Sequence, residues 1–459
     1  MKRVVSFAWL LMIVGFGNAQ GVSKRLGDAV RALENDSQMQ SAIVGIYVAD
    51  QKTGAIVFER NARIGLAIAS SQKVITSAAS LELLGTGYRY KTELAYDGQI
   101  ANGTLTGNLY VVGYGDPTLG SWRYGNTKEQ VILNKWSSSL HQSGIKQVNG
   151  NITAFNRNWE SQTIPGGWIW DDIGNYYGAG VSAVNWRENQ YDLKLRSGNR
   201  AGDKVTIVST LPKLYHINFT SELTTGKPGS GDNAYIYLPP YATNGFIRGT
   251  IPPGENAFTI SGSFPNPGLQ LTSVLTDEFR KQGIEVASAV NGNDIKQLPD
   301  ITNLTTHWSP PLDSLNYWFL KKSINLYGEA LVKTLGYEKK NEGSTEAGLS
   351  LIKDFWKSNG ISSTSLNIID GSGLSPQNHV TAQALVKVML YARSRPWFSS
   401  FYNALPEFNG IKMKSGTIGG VKSFTGYVGG YTFALIINNY NGSSAEMVRK
   451  MYRVLDVLK

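Results

Sequence analysis

The chain contains no cysteine, which excludes thiol nucleophiles, disulfide frameworks and cysteine-ligated zinc or iron–sulfur centres together. Histidine is nearly as scarce. His141, His216, His307 and His379 lie far apart, with no His-Glu-Xaa-Xaa-His pair, so a histidine-built metal site has no spacing to start from. Each histidine is expected on the surface or in a loop. No Gly-Xaa-Ser-Xaa-Gly elbow occurs, so a Ser-His-Asp hydrolase lacks its anchor point. Beyond the N-terminus no apolar run is long enough for a membrane span. Acidic residues are the minority among the charges, 34 against 44 basic, for a formal net charge of +10.

The apolar run that does exist is N-terminal. Lys2-Arg3 precede the stretch Val4 to Gly15, and Gly17-Asn18-Ala19 precede Gln20. A basic start, a short apolar core and small residues at a cleavage site predict a signal peptide over 1–19 and an exported protein of the periplasm or cell envelope; an uncleaved anchor is the competing reading. A basic exported chain suits an anionic envelope polymer. No nucleic-acid motif competes with that partner, and no membrane span is expected in the mature chain.

Three short motifs carry chemistry: Ser70-Ser71-Gln72-Lys73, Ser323-Ile324-Asn325 and Lys414-Ser415-Gly416. A serine can attack a carbonyl, a lysine three residues on can take its proton, and a Ser/Asn pair can relay it. None is specific alone. Ser143-Gly144-Ile145-Lys146 repeats the first pattern, Ser197, Ser314 and Ser365 each open a Ser-Xaa-Asn, and Lys52-Thr53-Gly54 resembles the third. Context separates them. Val74, Ala78 and Leu81 recur at helical spacing, predicting a helix over Ser70–Leu84 that stops at Gly85 and carries Ser70 and Lys73 on one face of its first turn. The Ser143 copy reads as a helix stop, and Lys52-Thr53-Gly54 as a hairpin turn between Ala42–Val48 and Ala55–Phe58. Ser70 and Lys73 by themselves also fit a capping serine with a surface lysine.

The run Ala67 to Thr76 resembles the nucleophile segment of the D-alanyl-D-alanine carboxypeptidase/endopeptidase family, the class C low-molecular-mass penicillin-binding proteins. Gly107 to Pro117, Trp170-Asp171-Asp172, Asp370 to Ser375, and Lys414 to Thr417 continuing to Gly426-Tyr427 resemble the same family in the same order. Two departures stand out. Ile68 occupies a position where proline is common, and Pro376 one where a basic residue commonly follows. The resemblance implies an α/β, multi-domain fold. In it, a transpeptidase/β-lactamase-like α/β domain (20–95 and 300–459) is split by an inserted α+β domain (96–187 and 261–299), which itself carries a smaller β-rich insertion (188–260). The strand-and-turn character of the middle agrees with this, interrupted by helical runs near Thr127–Ser139 and Leu269–Gln282. Thr425–Val428 and Tyr431–Asn438 read as antiparallel neighbours, and Ala445 to Leu458 as a covering helix.

The resemblance also implies roles. Ser70 attacks the penultimate D-Ala carbonyl of a peptidoglycan stem peptide, Lys73 is its base, Ser323 passes a proton to the leaving amine, and Asn325 orients Lys73 or the substrate amide. Lys414, with Ser415, binds the terminal carboxylate from a substrate cleft. Gly416 allows close backbone approach, and the N–H groups of Ser70 and Thr417 form the oxyanion hole. Asp172 meets the free amine of a diamino acid, or else is a loop aspartate bonding its own backbone. Asp370 and Ser372 read as structural. No metal or organic cofactor is called for, and β-lactam antibiotics are expected to acylate Ser70. Two rivals are a serine β-lactamase, whose compact layout the gap from Lys73 to Ser323 exceeds, and a non-catalytic wall-binding module, suggested by 11 Trp and 23 Tyr.

Overall fold

The computed structural model describes residues 21–156, 158–290, 292 and 299–459; the expected signal peptide lies outside them. The chain divides into two compact units. One comprises the residues up to Leu83 together with Asn316–Ser323 and Ser350–Lys459, and the other comprises Leu84–Leu315 and Ile324–Leu349. Among the described residues no helix is long and apolar enough to cross a membrane.

The first unit is built on a six-stranded antiparallel sheet in the order Glu407–Phe408, Ile411–Ile418, Val421–Val428, Tyr431–Asn438, Ile43–Asp50, Ile56–Arg60. Alternation decides its faces. Val44, Ile46 and Val48, with Phe433, Leu435 and Ile437, point to one side. There they meet Val22, Leu26, Val30 and Leu33 of the helix over 21–34, and Met447, Met451 and Val454 of helix Ser444–Asp456. The opposite side packs on helix Ala382–Arg393, which in turn packs on helix Lys73–Leu83. That last helix is buried without interruption from Lys73 to Leu81, so its lysine has no route to bulk solvent along its own helix. The Lys52-Thr53-Gly54 turn joins the first two strands as expected: the Asp50 carboxylate accepts from Lys52 N at 3.0 Å and Thr53 N at 2.8 Å, and Gly54 takes φ +72°.

The second unit centres on a seven-stranded mixed sheet. Gln147–Asn156 runs parallel to Leu109–Gly113 and to Glu285–Val290, while Lys91–Tyr96 and Thr302–Trp308 add antiparallel strands. Helices Glu129–Gln142 and Pro267–Lys281 pack on it, the latter capped by Asn266 with proline in its first turn, a favourable N-terminus. Two small sheets follow, Gln190–Arg196 with Phe258–Ser263 and Thr206–Leu211, and Asn244–Ile251 with Asn218–Ser221, Thr224–Thr225 and Asn233–Tyr237. One apolar cluster runs from Leu94 and Trp136 through Leu193 and Ile236 to Ile260, so these sheets share a core with the large one. The mixed α/β, multi-domain fold with several sheets matches the sequence reading. The Ser143 copy of the motif is a helix end, with Gly144 at φ +70°.

Two local expectations are corrected. Ser70 does not open an α-helix: residues Ala69–Gln72 form a 3₁₀ turn and the α-helix begins at Lys73. Ala69, at φ +47°, cannot continue a helix backwards, so the serine sits on a tightened turn in front of it. His307 is not at the surface. It lies in strand Thr302–Trp308, buried, and burial together with the Lys135 charge lowers its pKa to about 4, keeping it neutral.

Because Leu435 is fully buried at the centre of the first unit's sheet, Leu435→Ala should cost about 2–5 kcal/mol. The shift in denaturation midpoint of the first unit's transition measures it, and a loss below about 1 kcal/mol would mean that this layer does not support the unit.

Candidate active site

In the first unit the 3₁₀ turn is held from three sides. Ser423 Oγ donates to the Ile68 carbonyl at 2.5 Å and lies 2.7 Å from Ser71 Oγ, which reaches the Lys414 carbonyl at 3.3 Å. Gln72 Nε2 donates to the Asp370 carbonyl at 2.5 Å, and Thr76 Oγ1 to Gly371 O at 2.7 Å. Asp370 is structural, as expected: its carboxylate accepts from Gly373 N, Ser375 N and Asn378 Nδ2 at 2.7, 2.7 and 2.9 Å.

Against this turn, strand Ile411–Ile418 approaches as closely as backbone permits. A Cβ on Gly416 would stand 2.2 Å from the Ile68 carbonyl, 2.4 Å from Ser423 Oγ and 3.0 Å from Ser70 N. Only glycine fits there.

The turn presents Ser70, half-buried, to Lys73, which is 0% exposed. Lys73 Nζ is 2.9 Å from Ser70 Oγ and donates to the Ser372 carbonyl at 2.8 Å. Lys414 is 1% exposed; its Nζ donates to Ser323 Oγ at 3.0 Å and to the Ser415 carbonyl at 2.9 Å. The expectation of a cleft-surface lysine is corrected: strand alternation turns Lys414 inward. Burial first, and the neighbouring Lys73 charge second, hold its ammonium well below the usual lysine range. Ser323 takes φ +57°, the left-handed region that serine occupies at a cost of about 1–2 kcal/mol. Its hydroxyl is thereby set beside Lys414, and the chain turns before helix Asn325–Lys340 begins. Thr417 is exposed, and its hydroxyl accepts from Lys422 Nζ at 2.6 Å. Ser70, Lys73, Ser323, Lys414, Ser415, Gly416 and Thr417 all belong to this unit.

Asn325 and Asp172 belong to the second unit, where a residue unmarked in the sequence connects them. Asn325 Nδ2 donates to the Tyr177 carbonyl at 2.7 Å, and the Tyr177 hydroxyl lies near enough to the Asp172 carboxylate to pull its pKa down. Asp172 lies in the short helix Trp170–Ile173. Burial, and secondarily Asp171, raise its pKa to about 6 against the opposing pull of Tyr177. No spacing signal could have found Tyr177, which acts through loop geometry.

A serine hydroxyl against a buried lysine amine, with a second serine on a second buried lysine, is an arrangement suited to acyl transfer through a serine ester. It needs no histidine. Comparisons with known proteins narrow the class. The model of the D-Ala-D-Ala carboxypeptidase 3 (S13) family matches residues 26–407, and the chain belongs to that family. It is 26% identical over 463 residues to the D-alanyl-D-alanine carboxypeptidase of Actinomadura sp. (strain R39), covering 92% of this chain and 83% of that one. It is 26% identical over 398 residues to the D-alanyl-D-alanine carboxypeptidase DacB of Haemophilus influenzae, covering 85% and 79%. The solved structure of penicillin binding protein 4 (dacB) from Haemophilus influenzae shares the fold, with a TM-score of 0.79 at 21% identity over 94% of this chain and 99% of that one. The chain is a serine-type D-Ala-D-Ala carboxypeptidase, and the β-lactamase and wall-binding readings fall away.

Gly416→Ala should move the strand or the turn by a large fraction of an ångström. A displacement of that size typically costs about 10²-fold in turnover. Release of D-Ala from a D-Ala-D-Ala peptide measures it, with circular dichroism as the control for folding. A folded variant within about threefold of wild type would show that the close approach is dispensable.

Proposed function

We propose that this serine-type D-Ala-D-Ala carboxypeptidase acts on peptidoglycan stem peptides through an acyl-enzyme on Ser70, and that trimming of terminal D-Ala and cutting of cross-links proceed from the same intermediate. The observation that carries the assignment is the 2.9 Å separation of Lys73 Nζ and Ser70 Oγ, within reach for direct proton transfer. Neutral Lys73 takes the hydroxyl proton as Oγ adds to the penultimate D-Ala carbonyl. The oxyanion is met by the N–H groups of Ser70 and Thr417, stabilisation whose loss typically costs about 10²–10³ in rate. As the C–N bond breaks, Ser323 relays to the departing D-Ala amine the proton that Lys73 took, which leaves Lys73 neutral again, and water then adds to the ester and releases Ser70 with its proton restored. Lys414, with Ser415, receives the terminal carboxylate, whose negative charge favours the ammonium form that burial disfavours. No step calls for a metal or organic cofactor.

β-Lactams are assigned to the same serine. The Haemophilus influenzae relative has been solved in complex with a β-lactam, with a TM-score of 0.73 to this chain. The place of work is the periplasm or cell envelope, where the polymer lies. Asp172 is assigned to the free amine of the stem-peptide diamino acid, by charge pairing.

Fluorescent penicillin should label the protein covalently, and a folded Ser70→Ala should lose both labelling and D-Ala release. Labelling that persists in Ser70→Ala and disappears in Ser143→Ala would overturn the assignment.

A pH profile tests Asp172. Its carboxyl titrates near 6, and only the ionised form attracts an ammonium. Preference for a free-amine peptide over its amine-acetylated counterpart should therefore rise as pH increases through about 6, and vanish in Asp172→Asn. A preference that is flat with pH and unchanged in Asp172→Asn would assign this aspartate to the loop alone.

A further inference from the structure

Helix Asn325–Lys340 buries a line of polar residues one turn apart, Asn325, Glu329 and Lys333. Lys333 is 0% exposed. A lysine there is expensive to desolvate unless it is well paired, and an apolar residue would fill a helix–loop contact at less cost. Its bonds show what the charge reaches. Nζ lies 3.1 Å from Glu160 Oε1, 2.6 Å from the Gln162 carbonyl and 3.5 Å from the Val181 carbonyl. Burial lowers its pKa, while Glu160 and Glu329 oppose that shift. Glu160 is fixed in turn, accepting from Thr345 N at 2.8 Å and Thr345 Oγ1 at 3.1 Å.

Gln162 and Val181 stand at the two ends of one excursion of the chain, and Asp172 and Tyr177 lie inside it. Two turns earlier on the same helix, Asn325 Nδ2 grips the Tyr177 carbonyl. The excursion closes tightly on itself as well: a Cβ on Gly178 would stand 1.9 Å from the Asp172 carbonyl. The helix thus holds the mouth of this loop through one ammonium and its interior through one amide.

We propose that Lys333, paired with Glu160, is a positioning residue that sets the loop carrying Asp172, and so sets the enzyme's preference for stem peptides with a free diamino-acid amine. This rests on the reading of Asp172 given above. Lys333 touches neither substrate nor the reacting atoms.

The test compares wild type, Lys333→Met and Glu160→Gln by two readouts. The first is amide hydrogen exchange over residues 163–180, which does not depend on the Asp172 reading. Lys333→Met should speed it by about tenfold or more while strand Ile411–Ile418 stays protected, because a loop that loses its tether opens locally. The second is the ratio of kcat/KM for a free-amine peptide to that for its acetylated counterpart. This ratio should fall about tenfold toward unity, mostly through KM, with penicillin acylation kept within about threefold. Glu160→Gln should shift both readouts the same way by less, and it decides the matter alone should Lys333→Met fail to fold. Unchanged exchange over 163–180 overturns the tether. Equal losses on both peptides and on penicillin make Lys333 a general structural prop and overturn the proposal. Faster exchange in a wild-type background that shows no amine preference would keep the tether, refute the role of Asp172 and with it the specificity part of the proposal.

Discussion

Two lysines buried within reach of each other's charge, Lys73 and Lys414, are the constraint on which the site depends. In water their repulsion would be small; in a low-dielectric pocket it is not. Lys414 bears part of the consequence, its ammonium disfavoured by burial and by Lys73. The pocket therefore favours whatever reduces its positive charge. One route is to hold an amine neutral. Another is to admit a negative charge beside the two lysines.

The geometry that creates the problem comes from backbone contact. Gly416 lets one strand press against the turn that bears Ser70, closer than any side chain would allow. The hydroxyls of Ser71 and Ser423 then satisfy groups that the close approach buries. Strain sits on either side of the chemistry, at Ala69 and Ser323, both with positive φ. Non-glycine residues persist there only where the surrounding structure over-determines them, and here Ser423 and Gln72 tie the turn at Ala69 while Lys414 bonds Ser323.

Much of this was legible in the sequence because it depends on short spacings. A lysine three residues after a serine is such a spacing, and it brings Ser70 and Lys73 together, although on a 3₁₀ turn in front of the helix and not inside it. The β-hairpin at Lys52-Thr53-Gly54 and the helix stop at Ser143 were readable for the same reason. Properties set by distant packing were not. The 3₁₀ turn depends on Asp370 and Ser423, far along the chain. The burial of Lys414 depends on which face of its strand the helices cover, and that of His307 on its neighbours in the sheet. Tyr177 carries no pattern at all. Asn325, Glu329 and Lys333 did leave a trace, polar residues at i, i+4 and i+8 through the buried first three turns of their helix; a polar stripe on a buried helix marks something held rather than something packed.

The order of the strands has a consequence in time. Ile43–Asp50 pairs along its length with Tyr431–Asn438, and Lys414 arrives on a strand hydrogen-bonded to Val421–Val428. A chain made from its N-terminus produces the serine and its first lysine early and four of the six strands of their sheet last. Through most of synthesis, Ser70 belongs to a segment whose central strand has no neighbour from the far end of the chain. Long-range pairing of this kind is slow to form, and it ties competence to completion. A truncated product lacking its last strands retains Ser70 but not the surface that presses its turn into shape.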